Sequence, residues 1–364
     1  MDNKPMNPLI RLHALGQRIW LDNLSRTLLR DGTLKKLVTD DRIAGVTSNP
    51  TIFFKAFSDS EHYREDLQKL KADPALTAEQ RYEALAVADI QNACDILQPM
   101  YKSTAGDDGY VSLEVSPELA HDAAGTIAAG MRLKAAVKRD NLMIKVPATA
   151  AGLQAIEELI ARGCSVNVTL MFSLKHVHDV AQAYLRGITR HIEGGGDARK
   201  VKSVASLFLS RVDTLIDKRL EAIGGDALAL RGRSAVALAR LSYRDFKATF
   251  GGEFKALAKK GVRPQPMLWA STGTKNPSYS DVLYVESLIG PNTVNTVPDA
   301  TLAAFRDHGR AEATLETGMD AASEQFEALK RLGIDMEAAG ETLQAEGLKL
   351  FADSFSQLLA LTSG

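Results

Sequence analysis

Residues 142–148 read LMIKVPA, an aliphatic run closed by proline with a single lysine at its centre. So short an aliphatic stretch predicts a buried strand. Side chains alternate along a strand, so Ile144 and Val146 share one face while Met143 and Lys145 share the other. Comparable runs recur on both sides, at 18–23 (RIWLDN), 43–49 (IAGVTSN), 111–116 (VSLEVS), 165–172 (SVNVTLMF), 203–211 (SVASLFLSR), 265–271 (QPMLWAS) and 293–298 (TVNTVP). Amphipathic segments near 78–100, 118–138, 151–162, 174–192, 212–222 and 278–288 fall between them. Strands alternating with helices in this way predict an α/β protein, and eight strands are the number that closes a (β/α)8 TIM barrel.

Three stretches exceed a minimal barrel: helical insertions near 52–110 and 223–262, and a helical C-terminal tail, 300–364, expected to pack over the barrel. None has a linker-like composition, so 1–364 is expected to form a single domain.

Opposite the aliphatic faces lies an unusual polar set. Ser112 and Glu114 oppose Val111, Leu113 and Val115, while Asn167 and Thr169 oppose Val166, Val168 and Leu170. Asp22 opposes Ile19 and Leu21. If the aliphatic faces meet the outer helices, Asp22, Asn49, Glu114, Lys145, Asn167 and Thr169 point into the barrel near the C-terminal ends of the first five strands, where barrel enzymes do their chemistry. Structural polar residues satisfying one another would account for any one of these. The whole group is harder to explain so, because a buried charge costs several kcal/mol unless it is partnered. Lys145 is the lysine with apolar neighbours directly on both sides in a predicted central strand. Burial disfavours its charged form and so frees the amine as a nucleophile. Such an amine condenses with a ketone to a Schiff base, an electron sink that lets an adjacent carbon–carbon bond break, with nearby carboxylates carrying protons.

Later strands turn cationic. Ser206, Phe208 and Ser210 alternate with Leu207 and Leu209, and the run closes on Arg211; the next leads into WASTGTKNP with Ser271, Thr272, Thr274 and Lys275. Barrels often hold a substrate phosphate at loops late in the strand order, and arginine, lysine and hydroxyls suit that use. A surface salt bridge is the competing reading of Arg211. His176 and His178 are two apart on a helix and do not share a face, which argues against a metal site. The glycine run at 193–197 lacks the GK[ST] of a phosphate-binding loop.

The totals exclude other classes. Of 364 residues 45% are hydrophobic, and 44 basic against 45 acidic residues leave a formal charge of −1, with no general pull toward nucleic acid or an anionic membrane. Two cysteines, Cys94 and Cys164, suit a reducing compartment. The N-terminal stretch MDNKPMNPLIRLHALG has no apolar core of leader length, and no run is long enough to span a bilayer. A cytoplasmic protein is expected.

The segments WLDN (20–23), GVTSNPTIF (45–53), SLEVSPELA (112–120), LMIKVPAT (142–149), SVNVTLMFS (165–173), SLFLSRVD (206–213) and WASTGTKNP (269–277) together resemble the transaldolase family, in its longer bacterial type within the class I Schiff-base aldolase superfamily. The resemblance implies a transferase of carbohydrate metabolism that moves a dihydroxyacetone unit from sedoheptulose 7-phosphate to glyceraldehyde 3-phosphate, in the non-oxidative pentose phosphate pathway. It implies Lys145 as the Schiff-base lysine, Asp22 as the acid/base at the C4 hydroxyl, and Glu114 with Thr169 as holders of a catalytic water. Asn49 and Asn167 would bind the dihydroxyacetone hydroxyls. Ser206 and Arg211 would lie on the phosphate side, with Phe208 shaping that pocket. Shorter members have a serine followed two residues later by arginine; here the loop is longer, so Ser271 and Lys275 are the corresponding expectation. No cofactor or metal is implied, since the imine itself is the electron sink. The partners implied are sugar phosphates, with no nucleic acid and no membrane, and a homodimer is the assembly to test. Two alternatives stand beside this reading: an aldolase of the fructose-6-phosphate aldolase kind that releases free dihydroxyacetone, and a catalytically silent sugar-phosphate-binding barrel.

Overall fold

Each aliphatic run becomes a strand in the computed structural model, which describes residues 7–363. Residues 1–6, part of the stretch read above for a leader, and Gly364 at the end of the tail lie outside the described residues. The strands are β1 (Gln17–Leu21), β2 (Gly45–Thr47), β3 (Tyr110–Glu114), β4 (Leu142–Pro147), β5 (Val166–Met171), β6 (Ser203–Phe208), β7 (Met267–Ala270) and β8 (Thr293–Val297). They pair in sequence order, all parallel, and β1 also pairs with β8, closing a (β/α)8 barrel.

Helix starts follow from local chemistry. Thr77 and Gln80 form a reciprocal capping box at the start of Ala78–Ser103. Thr149 and Ser173 cap the helices after β4 and β5, each worth about 1 kcal/mol. The outer strand faces are buried against these helices, with Ile144, Val146, Val166 and Val168 at 1% exposure or less. Inside, Trp20 fills the barrel opposite Gly45, where any side chain would lie 2.5 Å from the indole.

Three expected elements differ from the structure. The segment 278–288 forms only one helical turn, Leu283–Glu286. There the Asn276 and Ser280 side chains accept from Ser278 N and Val282 N, local bonds that compete with a helix. The sixth strand ends at Phe208 rather than 211, and Ser210–Ile223 is a helix carrying Arg211 in its first turn. The second strand ends at Thr47, because Pro50 opens the helix Pro50–Asp59 and Asn49 caps it.

The tail contributes a 27-residue helix, Met336–Thr362, that crosses the C-terminal end of the barrel. Its Gln344 Nε2 donates to Ala148 O and Leu170 O, carbonyls at the ends of β4 and β5. Leu170 has a left-handed backbone (φ 58°) beside a register shift in β5, a bulge of the kind that re-aims side chains near active sites.

Candidate active site

Strand register builds the centre of the site. Glu114 pairs with Lys145 and Lys145 with Asn167, so three neighbouring strands present an acid, an amine and an amide at one level of the barrel interior. Lys145 is 4% exposed. Its Nζ lies 3.3 Å from Glu114 Oε2 and donates to Ser48 O at 3.2 Å. Burial pushes the Glu114 carboxyl above its ordinary range; the Lys145 charge and hydrogen bond pull it down, and Asp22 pushes it up again. Glu114 is thereby a better proton acceptor than an exposed carboxylate.

Asp22 is the first residue past β1. Its backbone N donates to Val297 O, and its Oδ1 accepts from Thr47 Oγ1 at 2.7 Å. Thr47 Oγ1 in turn lies 2.9 Å from Thr296 Oγ1, so a small hydroxyl network fixes the carboxylate. Asn167 is held from both sides: its Nδ2 donates to Ser112 Oγ and its Oδ1 accepts from Ser206 Oγ at 2.7 Å. Ser206, expected on the phosphate side, is therefore committed to orienting this amide. Thr169 is fully buried, and its Oγ1 has no hydrogen-bond partner among the described residues, while Glu114 Oε2 is paired with Lys145 Nζ. An unsatisfied buried polar atom costs roughly 1–3 kcal/mol, so a bare hydroxyl on the strand next to a buried lysine–carboxylate pair marks a group kept free for another molecule.

Asn49 lies two residues past β2, half-buried, and its Oδ1 accepts from Ile52 N as a helix cap. That leaves the Asn49 amide N–H groups free to donate. Arg211 projects from a helix rather than closing a strand, and its guanidinium lies 5.8 Å from the Phe208 ring centroid. Burial lowers its pKa, with Glu346 opposing, and its Nη1 is buried without a partner among the described residues. Phe208 itself packs on Phe172. Ser271 is held beside this helix: its Oγ is 2.8 Å from Ser210 Oγ, its O accepts from Ser210 N, and its φ is 54°, a left-handed strain typical of functional loops. Lys275 is exposed, with no hydrogen bond or ion pair among the described residues.

The C-terminal helix supplies neighbours that strand patterns could not reveal. The Phe351 ring centroid lies 5.7 Å from Lys145 Nζ. At Gly347 an added side chain would meet Leu170 at 2.9 Å and Arg211 Nη1 at 3.5 Å, so glycine lets this helix lie close over the mouth. The available signal was the buried stripe Ala339, Gly340, Leu343, Gln344, Gly347 and Phe351, spaced for one helix face.

Comparison with known proteins decides the family. The family model described as "Transaldolase/Fructose-6-phosphate aldolase" matches residues 19–362. The chain belongs to this family. It is 51% identical to a protein named Transaldolase from Thiobacillus denitrificans, over 98% of this chain and 99% of the relative. Relatives of the same name from Neisseria meningitidis and Frankia alni are 49% and 47% identical, each covering at least 96% of both chains. The chain is accordingly an enzyme, a transferase of the transaldolase type. Among the described residues no helix is long and apolar enough to cross a membrane.

Proposed function

We propose that the enzyme transfers a dihydroxyacetone unit from sedoheptulose 7-phosphate to glyceraldehyde 3-phosphate through a Schiff base on Lys145, giving erythrose 4-phosphate and fructose 6-phosphate. The observation that carries this reading is the Lys145 amine, buried in the barrel 3.3 Å from a carboxylate whose burial raises its affinity for a proton.

Glu114 takes the ammonium proton, and the neutral amine attacks the substrate ketone to form a carbinolamine. Protons pass through Glu114 and a water held with Thr169, and loss of water gives the iminium. Asn167 and Asn49 bind the hydroxyls of the dihydroxyacetone portion, while Ser206 and Ser112 keep the Asn167 amide in place. Asp22 removes the C4 hydroxyl proton, the C3–C4 electron pair moves into the iminium, and the aldose phosphate leaves. The enamine left on Lys145 adds to the second aldehyde as Asp22 returns the proton. Water then hydrolyses the new imine and releases the ketose phosphate. Arg211 with Ser271 holds the substrate phosphate, as a cation with donors uncommitted within the protein. The free, buried cysteines Cys94 and Cys164 suit a cytoplasmic enzyme of the pentose phosphate pathway.

Borohydride reduction in the presence of fructose 6-phosphate tests the covalent step. The dihydroxyacetone adduct is expected on Lys145 by peptide mapping and is expected to vanish in Lys145→Ala. An unlabelled wild-type protein would instead fit the silent sugar-phosphate barrel. The family description also names an aldolase. Phe351 and Phe208 crowding the amine and Arg211 favour shielding the enamine from water, hence transfer. Free dihydroxyacetone produced as fast as transferred product, with acceptor present, would favour the aldolase.

A further inference from the structure

Among the described arginines, burial pulls Arg211 and Arg240 below their ordinary pKa, and neither has a carboxylate hydrogen-bonded to it. Arg211 faces the reaction site. Arg240 lies on the helix Ser234–Thr249 and lines a cavity that shares no residue with that site, and no role above uses it. Its Nε is buried with no partner among the described residues, and its Nη2 makes only two long contacts, 3.4 Å each, to Ser287 O and Thr314 O. A half-buried guanidinium without a counter-ion still carries a desolvation cost, which an arriving anion would offset by pairing with it.

The surroundings supply the rest of such a site. Arg240 lines a cavity of about 550 Å3 between the helices Ser234–Thr249 and Met319–Arg331, within the usual range for small-molecule sites. Arg233 and Arg331 line the same cavity, both exposed and neither in an ion pair among the described residues. The only carboxylate among its lining residues is Glu324, so the lining carries an excess of positive charge. Arg233 also precedes the first turn of the helix Ser234–Thr249, whose dipole adds a smaller attraction for an anion. Leu230, Val236 and Leu283 give the cavity apolar wall for a carbon skeleton. The walls are fixed in advance: Gln325 Nε2 bonds Leu230 O and Ser234 Oγ, fastening one helix to the start of the other.

We infer that this cavity is a second anion site, separate from the barrel mouth, that takes a small phosphorylated metabolite. Three arginines lining one cavity match a phosphate ester better than a neutral ligand, since arginine pairs with phosphate through two parallel hydrogen bonds.

Isothermal titration of the full-length enzyme at low ionic strength tests the site, with inorganic phosphate and glucose 6-phosphate as separate probes. Wild type is expected to show a binding component that weakens at least tenfold in Arg240→Met. The exposed pair Arg233→Glu with Arg331→Glu is expected to weaken it likewise, and these variants carry little risk to folding. Because this half-buried cation has no carboxylate hydrogen-bonded to it, Arg240→Met is also expected to melt at or above the wild-type temperature in phosphate-free buffer and to lose any phosphate-induced rise. Titrations that coincide for wild type and the double variant would overturn the site. Binding of inorganic phosphate with no gain for the ester would overturn the assignment of a metabolite. A lower melting temperature for Arg240→Met together with unchanged binding would show that Arg240 only supports the fold.

Discussion

The two mouths of this barrel each bury a lysine, and they treat it differently. At the C-terminal mouth Lys145 is 4% exposed, and at the N-terminal mouth Lys202, just before β6, is 8% exposed. Around Lys202 the charges are committed to one another. Its Nζ donates to Asp107 O, Arg18 Nε bonds both oxygens of Asp108, and Arg263 pairs with Asp107 at 2.7 Å. Around Lys145 buried atoms remain uncommitted, with Thr169 Oγ1 and Arg211 Nη1 both lacking partners among the described residues. Burial of an amine is therefore not the signature of chemistry. Unspent capacity in the charged and hydroxyl groups around it is, since the opposite mouth of a barrel generally serves the fold.

The strongest way to break this contrast is to remove each lysine in turn. Lys145→Met is expected to lower turnover by roughly four orders of magnitude or more, as losing a covalent nucleophile does. Lys202→Met is expected to leave turnover unchanged. Steady-state assays with coupled detection of glyceraldehyde 3-phosphate consumption compare the two, and a matching collapse in Lys202→Met would erase the distinction between the mouths.

Asp22 sharpens the contrast within the upper mouth. Schiff-base formation does not need that carboxylate, whereas C3–C4 cleavage does. Asp22→Ala is expected to keep borohydride trapping yet lose about 100- to 10,000-fold in turnover, the range for a general acid–base group. Normal turnover would remove Asp22 from the proton path. A smaller effect belongs to Arg211. Hydrogen bonds to a charged group contribute about 1.5–3 kcal/mol, so Arg211→Ala is expected to raise KM for phosphorylated substrates about 10- to 100-fold with kcat little changed. A large loss of kcat at unchanged KM would place Arg211 in the chemical step instead.

The comparison also separates what the amino-acid order carried from what it could not. All eight strands were legible because aliphatic alternation is local, and it pointed Glu114, Lys145 and Asn167 to one face before any coordinates. Lys202 was not legible, since Lys200-Val-Lys202-Ser reads as a solvated charge run before a strand. Arg211 and Asn49 were read as strand residues, because a strand end and a helix start differ only by a cap and a proline. Phe351 and Gln344 escaped because their partners lie about two hundred residues away in sequence, as the Gln344–Ala148 separation of 196 shows. Long-range packing of a tail onto a mouth leaves no periodic trace at the mouth itself.

The smallest effect, and the one that isolates burial from catalysis, is on stability. Burial depresses Lys202 from 10.5 to about 8, against the opposing pull of Asp108 and Asp107. A lysine with a lowered folded pKa binds fewer protons folded than unfolded between those two values, so wild-type stability should gain from this group as pH rises from about 8 to 10.5. Below about 8 the chain carries the whole cost of a buried charge, about 3 kcal/mol at 1.36 kcal/mol per pKa unit. Lys202→Met removes that cost and forfeits a hydrogen bond to Asp107 O worth about 1 kcal/mol. The variant should thus be more stable than wild type by about 2 kcal/mol at pH 7, with the gap closing toward pH 10. Urea unfolding of both proteins across this range reads the difference directly. A variant less stable at pH 7, or a gap that does not change with pH, would mean that the lower network holds Lys202 as a cation whose pairing outweighs its desolvation, and the two mouths would then differ in reactivity alone.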